Sequence, residues 1–124
     1  MGISYRKHDL YPESLLIRDF TGKVSVQEII ESWDYIIANN LIEDSTRGII
    51  NNLSGCELLM DMESFSTLLA YLKEHDQLKK IKLAVICDDP RTIIFPALGE
   101  SKERQLRIKP FSTMKAAVNW AITG

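Results

Sequence analysis

Residues 81–122 constrain the fold of this chain more tightly than any other stretch. They read IKLAVIC, then DDP, then a mixed segment, then QLRIKPF and STMKAAVNWAI. Residues 81–86 form a nearly unbroken apolar run, and a strand that apolar is covered on both faces, as in a parallel sheet. Asp89 before Pro90 starts a helix, with proline at the first helical position. Pro96 then limits that helix to a turn or so, or kinks it. Residues 106–109 make the last strand. Ser112 caps the last helix, whose buried side is Met114, Ala117, Val118, Ala121 and Ile122. A buried strand that ends in an acidic turn, then a strand that runs straight into an amphipathic helix, specifies an α/β fold. The acidic turn falls at the carboxyl end of a central strand, where open α/β sheets bind ligands. The stretch has no glycine-rich phosphate loop, no paired metal ligands and no nucleophile beside a base.

The earlier half supplies the rest of the sheet. Residues 3–8 and 14–20 read as two strands joined by a turn at Tyr11-Pro12-Glu13, and Thr21-Gly22-Lys23 breaks the second. Ser25 and Glu28 are spaced as a capping box, with Val24 and Ile29 at the staple positions around it. Val26, Ile29, Ile30, Trp33, Ile36 and Ile37 then form one apolar stripe, and Asn39-Asn40 closes the helix in a left-handed conformation. A short strand at 48–51 is followed by a loop at 52–57 that holds Ser54-Gly55. The next helix is capped by Asp61 and turns Phe65, Leu68, Leu69 and Leu72 inward, with His75 in its last turn. The strand-helix-strand units need right-handed crossovers, so they lay a parallel group beside the N-terminal hairpin. The expected product is a mixed sheet of about five strands with about four helices packed on it.

Composition narrows the function. At 124 residues the chain is read as one domain, 1–124, large enough for a real core. The formal charge of -2 provides no general basic field, which argues against nucleic acid. Lys79, Lys80 and Lys82 read as a solvated strand entry. Two cysteines far apart in sequence suggest reduced thiols in the cytoplasm. The first residues lack an apolar signal core, no apolar run approaches the length of a membrane span, and Arg6 denies Gly2 a myristoylation motif.

Among candidate chemistries, Cys87-Asp88-Asp89 reads as helix cap and turn rather than a metal site. His8 and His75 have no spacing relation to each other or to cysteine, so zinc is not expected. No nucleophile-elbow glycines support a Ser-His-Asp triad. No cofactor is expected. The cluster Leu58-Leu59-Met60 with Met62 is either core or an adaptable apolar surface.

Taken together, the element order, the KLAVICDDP strand and turn, and above all IKPFSTMKAAVNWAI resemble the STAS domains. Within them the chain is most similar to the SpoIIAA-like (STAS/SEC14) branch. The resemblance spans nearly the whole chain and implies a non-enzymatic regulatory or protein-interaction module, similar to the anti-sigma factor antagonists. In those proteins a partner kinase phosphorylates a serine that follows an Asp at the start of the helix after the third strand. Here Asp61 matches the Asp, Met62 stands at the phosphoserine position, and the following Gly is missing. Ser64 comes two positions late, about 200° around a helix. Asn52-Leu53-Ser54-Gly55 matches an earlier Asp-Leu-Ser-Gly-like stretch. The resemblance therefore implies partner binding through Ser54, Gly55, Asp61, Met62 and Ser64, without the phosphoswitch. The partner protein is unknown, and a homodimer stays open. The alternative is a carrier of an apolar small molecule or lipid, which needs a cavity of several hundred Å³.

Overall fold

The computed structural model describes residues 2–102 and 105–123, without side chains at 90, 91, 101 and 102. Strand β1 (Ile3–Lys7) pairs antiparallel with β2 (Leu15–Ser25), forming the expected hairpin. Strands β3 (Gly48–Leu59), β4 (Lys82–Ile86) and β5 (Arg107–Phe111) then add in parallel, in the sheet order β1-β2-β3-β4-β5. The helices are α1 (Val26–Ala38), α2 (Met62–Lys73), the single turn α3 (Asp76–Lys79), α4 (Pro90–Lys102) and α5 (Met114–Ile122). The α/β class and the mixed five-stranded sheet are as expected, with α3 as an additional short helix.

Sheet order that follows chain order decides where the helices go. Right-handed crossovers that always step the same way leave the crossover helices on one face. On that face Leu16, Phe20, Ile49, Leu53, Leu83 and Ile108 meet Ile29, Trp33 and Ile36 of α1 and Leu72 of α2. The opposite face buries Leu15, Ile17, Ile50, Ala84 and Ile86 under Ala117, Val118 and Ala121 of α5. At Gly48 a Cβ would come within 3.1 Å of the Ala121 Cβ, so α5 lies as close to the sheet as a missing side chain allows.

Local chemistry explains the helix ends. The Ser25 hydroxyl accepts from the Glu28 N–H at 3.2 Å, and the Glu28 carboxylate accepts from the Ser25 N–H at 3.1 Å. At the other end of α1, Leu41 N–H bonds Ile36 O at 3.0 Å and Asn40 N–H bonds Ile37 O at 3.2 Å. Asn40 supplies the left-handed residue, φ 53°, that this closure requires.

The structure corrects several boundaries. Thr21-Gly22-Lys23 does not break β2, although Gly22 has φ 70°, because residues 21–25 pair with residues 55–59 of β3. Residues 52–57 are strand rather than loop. Their Asn, Ser and Gly mark a bulge: Asp19 pairs with Asn52 but Thr21 with Gly55, so Leu53 and Ser54 share the interval that Phe20 spans alone. Asn52 Oδ1 accepts from the Ser54 hydroxyl at 2.7 Å and from its N–H at 3.3 Å, which holds the extra residue in place. Pro96 does not end α4; the proline is buried, and packing carries the helix past it, with Phe95 against Phe65 at a ring-centre distance of 5.3 Å. Thr113 rather than Ser112 caps α5, since β5 runs on to Phe111 and moves the turn along by one residue. His75 lies beyond the end of α2, at the N-cap of α3.

Candidate functional site

The bulge has a consequence for every later residue of β3. Before it, the odd-numbered Ile49, Asn51 and Leu53 face α1 and α2. The inserted residue reverses that parity, so the even-numbered Cys56, Leu58 and Met60 face the same core. Beyond Asn52, β3 also leaves β4, which pairs only with residues 48–52, and continues with β2 as a two-stranded ribbon. A pocket of about 80 Å³ lies under α1, α2 and α4 where the strands part. Its lining runs from Leu83 and Ile108, near the amino ends of β4 and β5, to Leu58 on the ribbon and Met60 just beyond it. The Asp88-Asp89 turn does not line it; Val85, earlier on β4, does.

Among the described residues seventeen line the pocket, and all but Arg18 and Asn51 are apolar. Leu58 and Met60 come from the ribbon and its end, Phe65, Leu68 and Leu69 from α2, and Phe95 and Pro96 from α4. The apolar cluster singled out in the sequence therefore splits. Leu58 and Met60 turn into the pocket, while Leu59, of the opposite parity, and Met62, the first residue of α2, are 47% and 55% exposed.

Arg18 is the unexpected member. It is 2% exposed, on the same face of β2 as Leu16 and Phe20. Its Nε donates to Asn51 Oδ1 at 2.8 Å and its Nη1 to Ser32 Oγ at 3.0 Å. Asn51 is held in turn by a bond from Nδ2 to Ala84 O at 3.0 Å, and Ser32 by the Tyr5 hydroxyl at 2.6 Å. The guanidinium carbon stands 3.9 Å from the centre of the Trp33 ring and 4.9 Å from that of Phe20, so aromatic faces replace part of its water. Burial pulls its pKa down to about 9, which leaves it charged at neutral pH. Period-two geometry puts Arg18 on one face with Leu16 and Phe20, but nothing in the sequence shows that helices cover that face.

The five residues singled out for partner binding fall into two groups. Asp61, Met62 and Ser64 meet at the start of α2. There Asp61 Oδ1 accepts from the Ser64 N–H at 2.8 Å and the Ser64 hydroxyl accepts from the Asp61 N–H at 3.0 Å, a reciprocal capping box. Those bonds hold the exposed Asp61 carboxyl below the usual carboxylate range. Ser54 and Gly55 lie at the bulge, both exposed. The extended run from Ser54 to Leu59 separates the groups by ~16 Å, at ~3.3 Å per residue. They do not converge on one point.

The remaining reactive groups are quiet. Burial, then the Asp88 charge, raises the Cys56 and Cys87 thiols to about 11, so neither is a thiolate at neutral pH. His75 Nδ1 lies 2.8 Å from the Tyr71 carbonyl, and His8 Nδ1 accepts from the Leu10 N–H at 3.1 Å. Among the described residues, no three His, Cys, Asp or Glu gather where they could hold a metal ion. No helix among them is long and apolar enough to cross a membrane.

No family model matches the chain, and no curated protein matches its sequence. Solved structures do match. One is an uncharacterized protein of the DUF3478 family, with a SpoIIAA-like fold, from Shewanella loihica PV-4. It aligns with a TM-score of 0.64 over 97% of this chain and 92% of its own, at 14% sequence identity. The chain is a SpoIIAA-like domain in fold.

Proposed function

We propose that this SpoIIAA-like domain is a non-enzymatic regulatory binding module that takes a small apolar molecule into the pocket beneath α1, α2 and α4. The observation that carries the reading is the pocket itself, fifteen of whose seventeen described lining residues are apolar. Binding sites for small molecules combine apolar walls with a few fixed polar groups, and Arg18 and Asn51 are such groups. At about 80 Å³ the pocket falls short of the several hundred Å³ that a lipid carrier needs, so the molecule it takes is a compact one. A non-enzymatic role is supported by the two protonated thiols and by the imidazoles being engaged with their own neighbourhoods. Native mass spectrometry of the protein purified from its own cells tests the reading. A single small-molecule adduct is expected; a bare chain would overturn it.

Exposed Leu59 and Met62, beside the Asp61 carboxylate, favour a second reading in which the same module docks a protein partner. Asp61→Asn keeps a good N-cap residue and removes only the charge. Recovery of a stoichiometric partner that falls in Asp61→Asn and in Met62→Ser supports this docking surface. Unchanged recovery in both removes it.

A further inference from the structure

We infer that the pocket's ligand is a small monocarboxylate, with a short apolar body and an anionic head that pairs with Arg18. The inference rests on the reading of the pocket as a ligand site and adds the charge and class of what enters it.

Arg18 carries a buried positive charge that nothing in the described protein neutralises. The described ion pairs are Arg6–Asp19, Lys79–Asp76 and Lys109–Glu100, and none involves Arg18. Its hydrogen-bond partners, Asn51 Oδ1 and Ser32 Oγ, are both neutral. A buried charge without a counter-charge is costly, and an arriving anion removes that cost.

The donor inventory shows where the anion would sit. Guanidinium has five N–H groups. Two are used by Asn51 and Ser32, and among the described residues Nη2 donates to none. No enclosed side-chain nitrogen or oxygen in the described protein lacks a partner. Nη2 is therefore not sealed in, and Arg18 lines the pocket. The Trp33 and Phe20 rings fix the guanidinium plane, so the free edge is pre-set before a ligand arrives.

The chemistry of that edge selects the head group. A carboxylate offers two coplanar oxygens to a guanidinium fork. Its single negative charge matches the single positive charge in the pocket. A phosphate dianion would keep one charge unpaired among apolar walls. Asn51, the other polar lining residue, has Oδ1 committed to Arg18 and Nδ2 to Ala84 O, so it offers a second anionic oxygen no donor. Size selects the body. At about 80 Å³ the pocket is about half the size of the roughly 150 Å³ apolar cavity that admits six-carbon benzene, so the acid that fits it has about two or three carbons and no long acyl chain.

The test is a neutral-pH NMR titration of the isotopically labelled full chain with propanoate, with propan-1-ol and propylamine as neutral and cationic probes of the same chain length. Propanoate is expected to shift the assigned Trp33 indole N–H and Arg18 Nε–H resonances and to bind at least tenfold more tightly than propan-1-ol, with propylamine inert. In Arg18→Gln that preference should vanish. The comparison of the three probes on the unsubstituted protein stands even if that variant fails to fold. Equal binding of propanoate and propan-1-ol would leave a ligand site and overturn the carboxylate. No shift at either resonance with any of the three would overturn both.

Discussion

A guanidinium buried without an acid must have its lost water replaced by neutral acceptors and aromatic faces. At Arg18 those are Asn51, Ser32, Trp33 and Phe20. Asn51→Ala removes one acceptor and leaves a buried donor unmatched, so denaturant melts should show a loss of roughly 1–3 kcal/mol. Asp19 behaves in the opposite way. Partial burial raises its pKa, but hydrogen bonds from Arg6 at 2.7 Å and Asn52 at 3.0 Å outweigh that and hold it below the ordinary value. A depressed carboxylate stabilises the fold above its unfolded pKa, and that contribution is lost as pH falls through the folded value. Asp19→Asn should therefore flatten the acid limb of the stability–pH curve below about pH 4, and an unchanged limb would show that the pair contributes nothing. Neither network was legible in the sequence. A single Arg in an alternating strand looks like a solvated face until the strand is known to be covered on both sides.

Helix starts were the most legible elements because their signals are local. Ser25-x-x-Glu28 and Asp61 specify caps within four residues, and both caps form as read. Ser25→Ala should cost about 1 kcal/mol in a denaturant melt. Trp33, placed inward by the helical stripe, is buried beneath Arg18, and Trp33→Ala should cost roughly 3–5 kcal/mol. The bulge in β3 was not legible, because Asn-Leu-Ser-Gly has the composition of a loop and only pairing with β2 shows that it is strand. Its role can be tested by deleting Ser54. That deletion removes the surplus residue and restores strict alternation with Cys56, Leu58 and Met60 still facing the core and Glu57 still outward. Cooperative unfolding should be retained. A deletion variant that no longer unfolds cooperatively would mean that Ser54 is not a surplus residue in the register.

At the scale of the whole molecule, sequential sheet order places α1, α2 and α4 over one face and α5 over the other, and the parting of β3 from β4 opens the pocket beneath the first group. The fold class followed from residues 81–122 and the strand-helix order. The pocket did not, because it depends on contacts between α2 and α4, such as Phe65 with Phe95, that lie far apart in the chain. The central claim is that this space is kept open for a ligand and is not a packing defect. Val85, on β4, lines it from the sheet, so Val85→Phe should fill it. The most direct measurement is native mass spectrometry of Val85→Phe beside the parent protein from the same cells, on samples shown by thermal melts to be equally folded. The account predicts that the parent carries a small-molecule adduct and that Val85→Phe is bare, with a melting temperature no lower than the parent's. An adduct that persists in the filled variant would contradict it.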